Sequence, residues 1–252
     1  MNNLRVVQDP AALSRTAAEE FVRLAAESVR ERGRFAVALA GGNTPRAAYE
    51  QIASMWEEAP GGPIDWTGVH LFWGDERHVP PDDPQSNFRL AKESLIERVP
   101  IPLANVHPIP AANPDAREAA SRYEREIREF FELQTNAMPR FDLVLLGMGP
   151  DGHIASIFPD TEAVEEATRL VMGNPVKTLH TWRITLTLPV LNAAAHVVIL
   201  VSGREKAPAL RRVLHGPHDP PLLPAERLAP NGTLLWLADR EAAGVPPDRA
   251  AR

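Results

Sequence analysis

The stretch FAVALAGGNTP, residues 35–45, decides how this chain reads. Phe35-Ala36-Val37-Ala38-Leu39-Ala40 is a short apolar run of the kind that forms a strand buried on both faces. It breaks at once into Gly41-Gly42-Asn43-Thr44-Pro45, and a helical pattern then continues to about Trp56. Pro45 suits the first turn of that helix, where a backbone N–H would be unbonded in any case. Strand, glycine turn and helix in this order open a βαβ unit.

The same alternation extends in both directions. Upstream, Leu13, Ala17, Phe21, Leu24 and Val29 fall at helical spacing from Pro10 to Arg32, and Gly33 is placed to end that helix. Downstream, Val69–Trp73 reads as a strand, Ser86 to about Arg98 as a helix, and Asp115 to Leu133 as another. Phe141–Leu146 is the next strand and runs into Gly147-Met148-Gly149. Arg183–Thr187 alternates with period two, which predicts a half-exposed strand. Val197–Val201 is a buried strand, followed by Gly203 and a helix from about Arg204 to Leu214. Leu234–Leu237 is expected to close the sheet, with the first strand at residue 35. The fold class is therefore α/β, a Rossmann-like and mainly parallel sheet with helices on both faces. Prolines gather in connections at 80–84, 100–114 and 217–230, and no linker or repeat divides residues 1–252, so one domain is expected. The tail Glu241–Arg252 is expected to be mobile.

Composition narrows the function. A net charge of −6 opposes a general nucleic-acid binder, which needs a basic face, but not a small anionic substrate held by a local field. No apolar run approaches the roughly 18 residues of a membrane span. The opening MNNLRVVQDP lacks the basic-then-apolar order of a secretory signal. With no cysteine there is no disulfide, thiolate metal site or cysteine nucleophile, which suits a cytoplasmic protein. Of the basic residues only Lys92, Lys177 and Lys206 are lysines.

In open α/β sheets ligands bind beyond the carboxyl ends of the strands, and four loops lie there. Gly41-Gly42-Asn43-Thr44 lets backbone approach an anion at a helix N-terminus, whose free amides carry partial positive charge. It is not GxGxxG, and no acidic residue is placed to hold a ribose, so no nucleotide cofactor is expected. Gly74-Asp75-Glu76-Arg77-His78 packs four ionisable residues after a strand, and the planar fork of Arg77 matches phosphate or carboxylate. Gly147-Met148-Gly149-Pro150-Asp151-Gly152-His153 frees the backbone to curl around a ligand. It leaves His153 at the mouth of the cleft, a residue type suited to general-base work, two residues from Asp151. Gly203-Arg204-Glu205-Lys206 puts a cation at a helix start, where an anion nearby would explain it.

Taken together, LAGGNTPRAAYE (39–50), FWGDERHVPPDDPQSNFR (72–89), FDLVLLGMGPDGHIASIFP (141–159), RITLTLPVLNAA (183–194), SGREKA (202–207) and LPAERLAPNGTLLWLAD (223–239) resemble the signature segments of the 6-phosphogluconolactonases. The segments run in the expected order over nearly the whole chain. The resemblance implies a small-molecule partner, a phosphorylated sugar lactone, with no cofactor or metal, in a monomer or small homo-oligomer. It assigns His153, assisted by Asp151, as the base that activates water. It places Gly41, Gly42, Asn43, Thr44, Asp75, Arg77, Gly149, Arg183 and Lys206 around the phosphate and hydroxyls. Arg77, Arg183 or backbone amides are the candidates for stabilising an oxyanion. Asn43 departs from the family pattern, where serine is common; His78 and Pro84 take no role.

Three rivals fit less well. The related glucosamine-6-phosphate deaminases typically carry a carboxylate soon after DGH, in a sequence like FNEP. This chain reads Ser156-Ile157-Phe158-Pro159 there, and Asp75-Glu76-Arg77 where they have a DEY-type loop. A sugar-phosphate-sensing transcription factor would need an appended helix-turn-helix. A metal-dependent lactonase would need spaced ligands, and the eight histidines include no HExxH pair.

Overall fold

Six parallel strands, in the order β1-β9-β8-β5-β2-β3, form the central sheet of the computed structural model, which describes residues 3–217 and 221–245. They are β1 (Asn3–Val7), β2 (Phe35–Leu39), β3 (Val69–Trp73), β5 (Leu143–Gly147), β8 (His196–Val201) and β9 (Thr233–Asp239). Every residue of β2 is buried, as an all-apolar run in mid-sheet requires. From β2 the chain passes outward to β3, then returns to β5 on the other side. That reversal creates a crevice at the carboxyl ends of β2 and β5.

The helices are set by local chemistry. α1 (Pro10–Arg32) starts at Asp9, whose carboxylate accepts the Ala12 N–H at 2.8 Å, and ends at Gly33 with φ 72°. Its buried Leu13, Ala17, Phe21 and Leu24 lie on one face, packed on the sheet beside α2 (Asn43–Glu58). Each large side chain so buried contributes roughly 1.5–3 kcal/mol. The predicted helix at 86–98 is α3 (Asn87–Ser94) followed by a 3-10 turn at Ile96–Arg98, and the one at 115–133 is α4 (Ala116–Phe130). α5 (Leu188–Ala193) and α6 (Ala207–His215) complete the set.

Both tyrosines of the chain secure strand ends. Tyr49 in α2 donates its hydroxyl to Ala40 O at 2.8 Å and accepts Ala40 N–H at 2.9 Å. Tyr123 in α4 does the same at Trp73, accepting its N–H at 2.8 Å and donating to its carbonyl at 3.3 Å. Each phenol satisfies buried backbone groups where a strand gives way to a cleft loop.

Four expectations are corrected. Asn3–Val7 is a strand, so the sheet begins before residue 35; β9 lies between β8 and β1, and β1, not β9, is the edge. Asp75–Arg77 is a strand, β4, and not part of a loop; Val171–Val176 is another, β6. Residues 183–187 belong to β7 (Thr181–Leu186), whose burial does not alternate: its first half is partly exposed and Ile184, Thr185 and Leu186 are buried. β4, β7 and β6 form a second, antiparallel sheet in that order, with α4 packed against β6 and β7. In the expected mobile tail, Ala242 is buried and its N–H bonds Asp239 at 2.7 Å; residues 246–252 lie outside the described residues. Among the described residues, no helix is long and apolar enough to cross a membrane.

Gly74 joins the two sheets. Its N–H donates to Leu39 O in the large sheet, and its carbonyl accepts from Leu186 N in the small one, both at 2.8 Å. The small sheet thereby stands over the carboxyl ends of β2 and β3.

Candidate active site

The loops after β2, β3, β5 and β8 meet in one cleft of about 270 Å³. Gly41, Gly42, Asn43, Thr44, Asp75, Arg77, Gly149, His153 and Lys206 all line it, as expected from sequence. Asp151 and Arg183 are not among the lining residues; Asp151 reaches the cleft through its bond to His153, and Arg183 lies opposite Arg77 across β4 and β7.

His153 is fixed on three sides. Its Nδ1 lies 2.6 Å from Asp151 Oδ1, and its backbone N–H reaches the same oxygen at 3.2 Å. A carboxylate can only accept, so Nδ1 carries a proton, and in the neutral ring Nε2 has the lone pair. Phe158 stacks on the imidazole with centroids 4.1 Å apart and planes 29° from parallel. Gly149 backs the ring so closely that a Cβ there would lie 2.2 Å from Nδ1, so this position has no room for a side chain. Partial burial pushes the Asp151 carboxyl upward, but the hydrogen bond and charge of His153 outweigh it. The net position is below the ordinary carboxylate range.

The N-terminus of α2 supplies the opposite wall. It begins at Gly42 with no side-chain cap, so the first amides are left to face the cleft. Lys206 stands at the N-cap of α6, as the last residue of a 3-10 turn at Arg204–Lys206, rather than inside the predicted helix. Arg77 donates to Gln85 O at 2.5 Å, and Arg183 donates to Thr181 Oγ1 and Trp182 O, each at 3.2 Å. Among the described residues none of these three cations has a carboxylate within ion-pair distance. Burial, and next the charge of Arg77, push the Arg183 guanidinium below its ordinary value. Unpaired cations and free amides around one opening suit an anion.

Glu76 organises the arginine loop from beneath. Its buried carboxylate accepts N–H bonds from Arg77, Asn87 and Phe88 at 2.7, 2.7 and 2.8 Å, and a bond from Ser86 Oγ at 3.1 Å. It thus anchors the N-terminus of α3, where negative charge is favoured. Burial raises its pKa despite these donors.

Sequence reading missed Asn87, Phe158 and Ser156. Asn87 lines the cleft from the first residue of α3, and Ser156 lies buried beneath it. The Ser86-Asn87 pair reads as a helix start, and Ser86 does accept the Arg89 N–H. Nothing in the sequence, however, aims that start at the glycine turn.

The family profile described as glucosamine-6-phosphate isomerases/6-phosphogluconolactonase matches residues 8–236. This chain belongs to that family. A 6-phosphogluconolactonase of Synechocystis sp. is 41% identical over 221 residues, covering 86% of each chain. The 6-phosphogluconolactonase of Mycobacterium tuberculosis is 35% identical over 252 residues, 98% of this chain and 99% of that one. Among solved structures, 6-phosphogluconolactonase from Trypanosoma cruzi superposes with a TM-score of 0.85 at 30% identity, covering 97% of this chain and 96% of that one. The family relationship therefore extends over both sheets and all four cleft loops.

Proposed function

We propose that this chain hydrolyses 6-phospho-D-glucono-1,5-lactone to 6-phospho-D-gluconate, with His153 as general base. The observation that carries the reading is the cleft itself. A histidine tautomer fixed by Asp151 opens onto the same space as the uncapped N-terminus of α2 and two unpaired cations. Relatives of similar length that bear the name 6-phosphogluconolactonase support it.

The phosphate binds at Gly41–Thr44 with Lys206, and with Arg77 and Arg183 adding positive potential. Binding through atoms remote from the reacting bond orients C1 toward His153. Asp75 and Gly149 meet the sugar between the two ends. Nε2 of His153 takes a proton from water as its oxygen attacks C1, and the carbonyl oxygen gains the negative charge. Asp151 accepts from Nδ1–H and stabilises the imidazolium. When the tetrahedral intermediate collapses, the C1–ring oxygen bond breaks and the imidazolium protonates the departing oxygen. Water is the only co-reactant.

The test is to supply freshly generated lactone and follow acid release against spontaneous hydrolysis, with glucosamine-6-phosphate in parallel. Acceleration of the first and no turnover of the second is the expected result. A rate equal to the spontaneous one sinks the reading.

A further inference from the structure

Asp75 is the one carboxylate among the residues lining the cleft, and only neutral groups hold it. Ser156 Oγ donates to its Oδ2 at 2.6 Å. Asn87 Nδ2 donates to its backbone carbonyl at 2.9 Å and, more weakly, to Oδ1 at 3.4 Å. Among the described residues no cation is within ion-pair distance, although Arg77 and Lys206 line the same space. A carboxylate held by neutral donors has spare lone pairs left to accept with. Such a group repels phosphate and accepts from hydroxyls.

The two donors are themselves over-determined. Ser156, 1% exposed, uses every polar group it has: its N–H reaches Thr185 Oγ1 at 3.2 Å, and its carbonyl accepts from Asn174 Nδ2 at 2.9 Å. One buried serine, three residues from His153, thus ties the histidine loop to β4, β6 and β7 at once. Asn87, also 1% exposed, is fixed through its own N–H by Glu76 Oε1 at 2.7 Å. Its Oδ1 is seated against the glycine turn: a Cβ on Gly41 would lie 1.8 Å from that oxygen. Residue 41 is therefore glycine for want of space, and the Asn87 amide is clamped between Gly41 and Asp75. Asp75 is set relative to the histidine loop by Ser156 and relative to the anion-binding turn by Asn87.

We infer that Ser156 and Asn87 are positioning residues that fix the Asp75 carboxylate between the phosphate and the reacting carbon, where it meets the sugar hydroxyls. The inference rests on the proposed reading of the cleft and goes beyond it by naming the buried residues that set where Asp75 stands.

The experiment is a double-mutant cycle on Asp75→Asn with Ser156→Ala and with Asn87→Asp. It is read as KM and kcat for the fresh lactone and as Kd for 6-phosphogluconate by calorimetry. Each single variant is expected to raise KM and Kd about 10- to 100-fold, the range for one charge-assisted hydrogen bond, while kcat moves less than about threefold. Added to Asp75→Asn, the second change should cost nearly nothing, because its effect passes through the group already altered. Asn87→Ser is the second variant if Asn87→Asp does not fold, as judged by thermal melting. Unchanged KM and Kd in the single variants, or losses that multiply in the doubles, overturn the inference while leaving the lactonase reading intact. A wild-type chain that neither hydrolyses the lactone nor binds the acid overturns that reading, and this inference with it.

Discussion

Arg77 and Arg183 are directly opposed residues on the antiparallel strands β4 and β7, two guanidiniums with no carboxylate at ion-pair distance among the described residues. Like charges in direct cross-strand register destabilise a sheet by roughly 0.2–1 kcal/mol. An anion near the pair would turn that cost into affinity. Arg183→Met should therefore leave the melting temperature of the free protein unchanged or raise it by up to about 3 °C. It should also shrink the stabilisation gained from saturating 6-phosphogluconate. Arg77→Ala should raise KM about 10-fold or more for the phosphorylated lactone and leave plain gluconolactone nearly unaffected. Equal effects on both substrates would remove Arg77 from the phosphate site.

For the base itself, His153→Ala should lower kcat about 10²- to 10⁴-fold with little change in the thermal midpoint. Near-normal turnover in that variant would exclude His153 from the chemistry.

Asp151→Asn should also lower kcat, because an amide can donate to Nδ1 and so release the ring from the tautomer that leaves Nε2 free. In the wild type, the Asp151 carboxyl lies below the ordinary range. The Asp151–His153 bond thus stabilises the fold above the unfolded carboxylate pKa of about 3.9, and is lost only as pH falls through the lower folded value. Chemical denaturation of wild type and Asp151→Asn at pH 7 and pH 3 should show a difference that shrinks at pH 3.

A second histidine sets an acid limb to stability far from the cleft. Burial, the neighbouring His107 and Arg34 push His70 down to about 4. Its Nδ1 lies 3.3 Å from His107 Nε2, whose Nδ1 is 2.8 Å from Glu126 Oε1. The unfolded histidine titrates near 6.5. Between about pH 6.5 and pH 4 the unfolded chain therefore binds a proton that the folded chain refuses, and stability falls as pH drops through that window. His70→Gln should flatten this part of a urea-midpoint profile. An unchanged slope would show that other groups produce it.

Tyr49→Phe removes the hydroxyl that bonds both the Ala40 N–H and its C=O, buried where β2 enters the glycine turn. An unsatisfied buried polar group costs about 1–3 kcal/mol. The melting temperature should fall by several degrees, and KM should rise because the turn is no longer held. A variant as stable as wild type would mean that water replaces the phenol.

The sequence by itself determined the layered α/β arrangement. A buried strand must be apolar throughout, a surface helix must carry an apolar stripe, and glycine must mark the loops where backbone meets ligand. These are local constraints, and FAVALAGGNTP and FDLVLLGMGPDGH show them plainly. β1, β4 and β6 were not legible, because NLRVV alternates over only four residues, DER and VMGNPV do not alternate, and all three become strands only beside a partner. For the same reason Arg183–Thr187 showed a period of two that burial does not follow: α4 and β6 cover residues that sequence alone would leave to water. Only the tertiary structure decided which loops share a cleft, that Arg183 lies opposite Arg77 across two strands, and that Ser156 and Asn87 grip Asp75 from 81 and 12 residues away. Contacts at such separations leave no periodic trace in the chain, since their partners are chosen by packing and not by spacing.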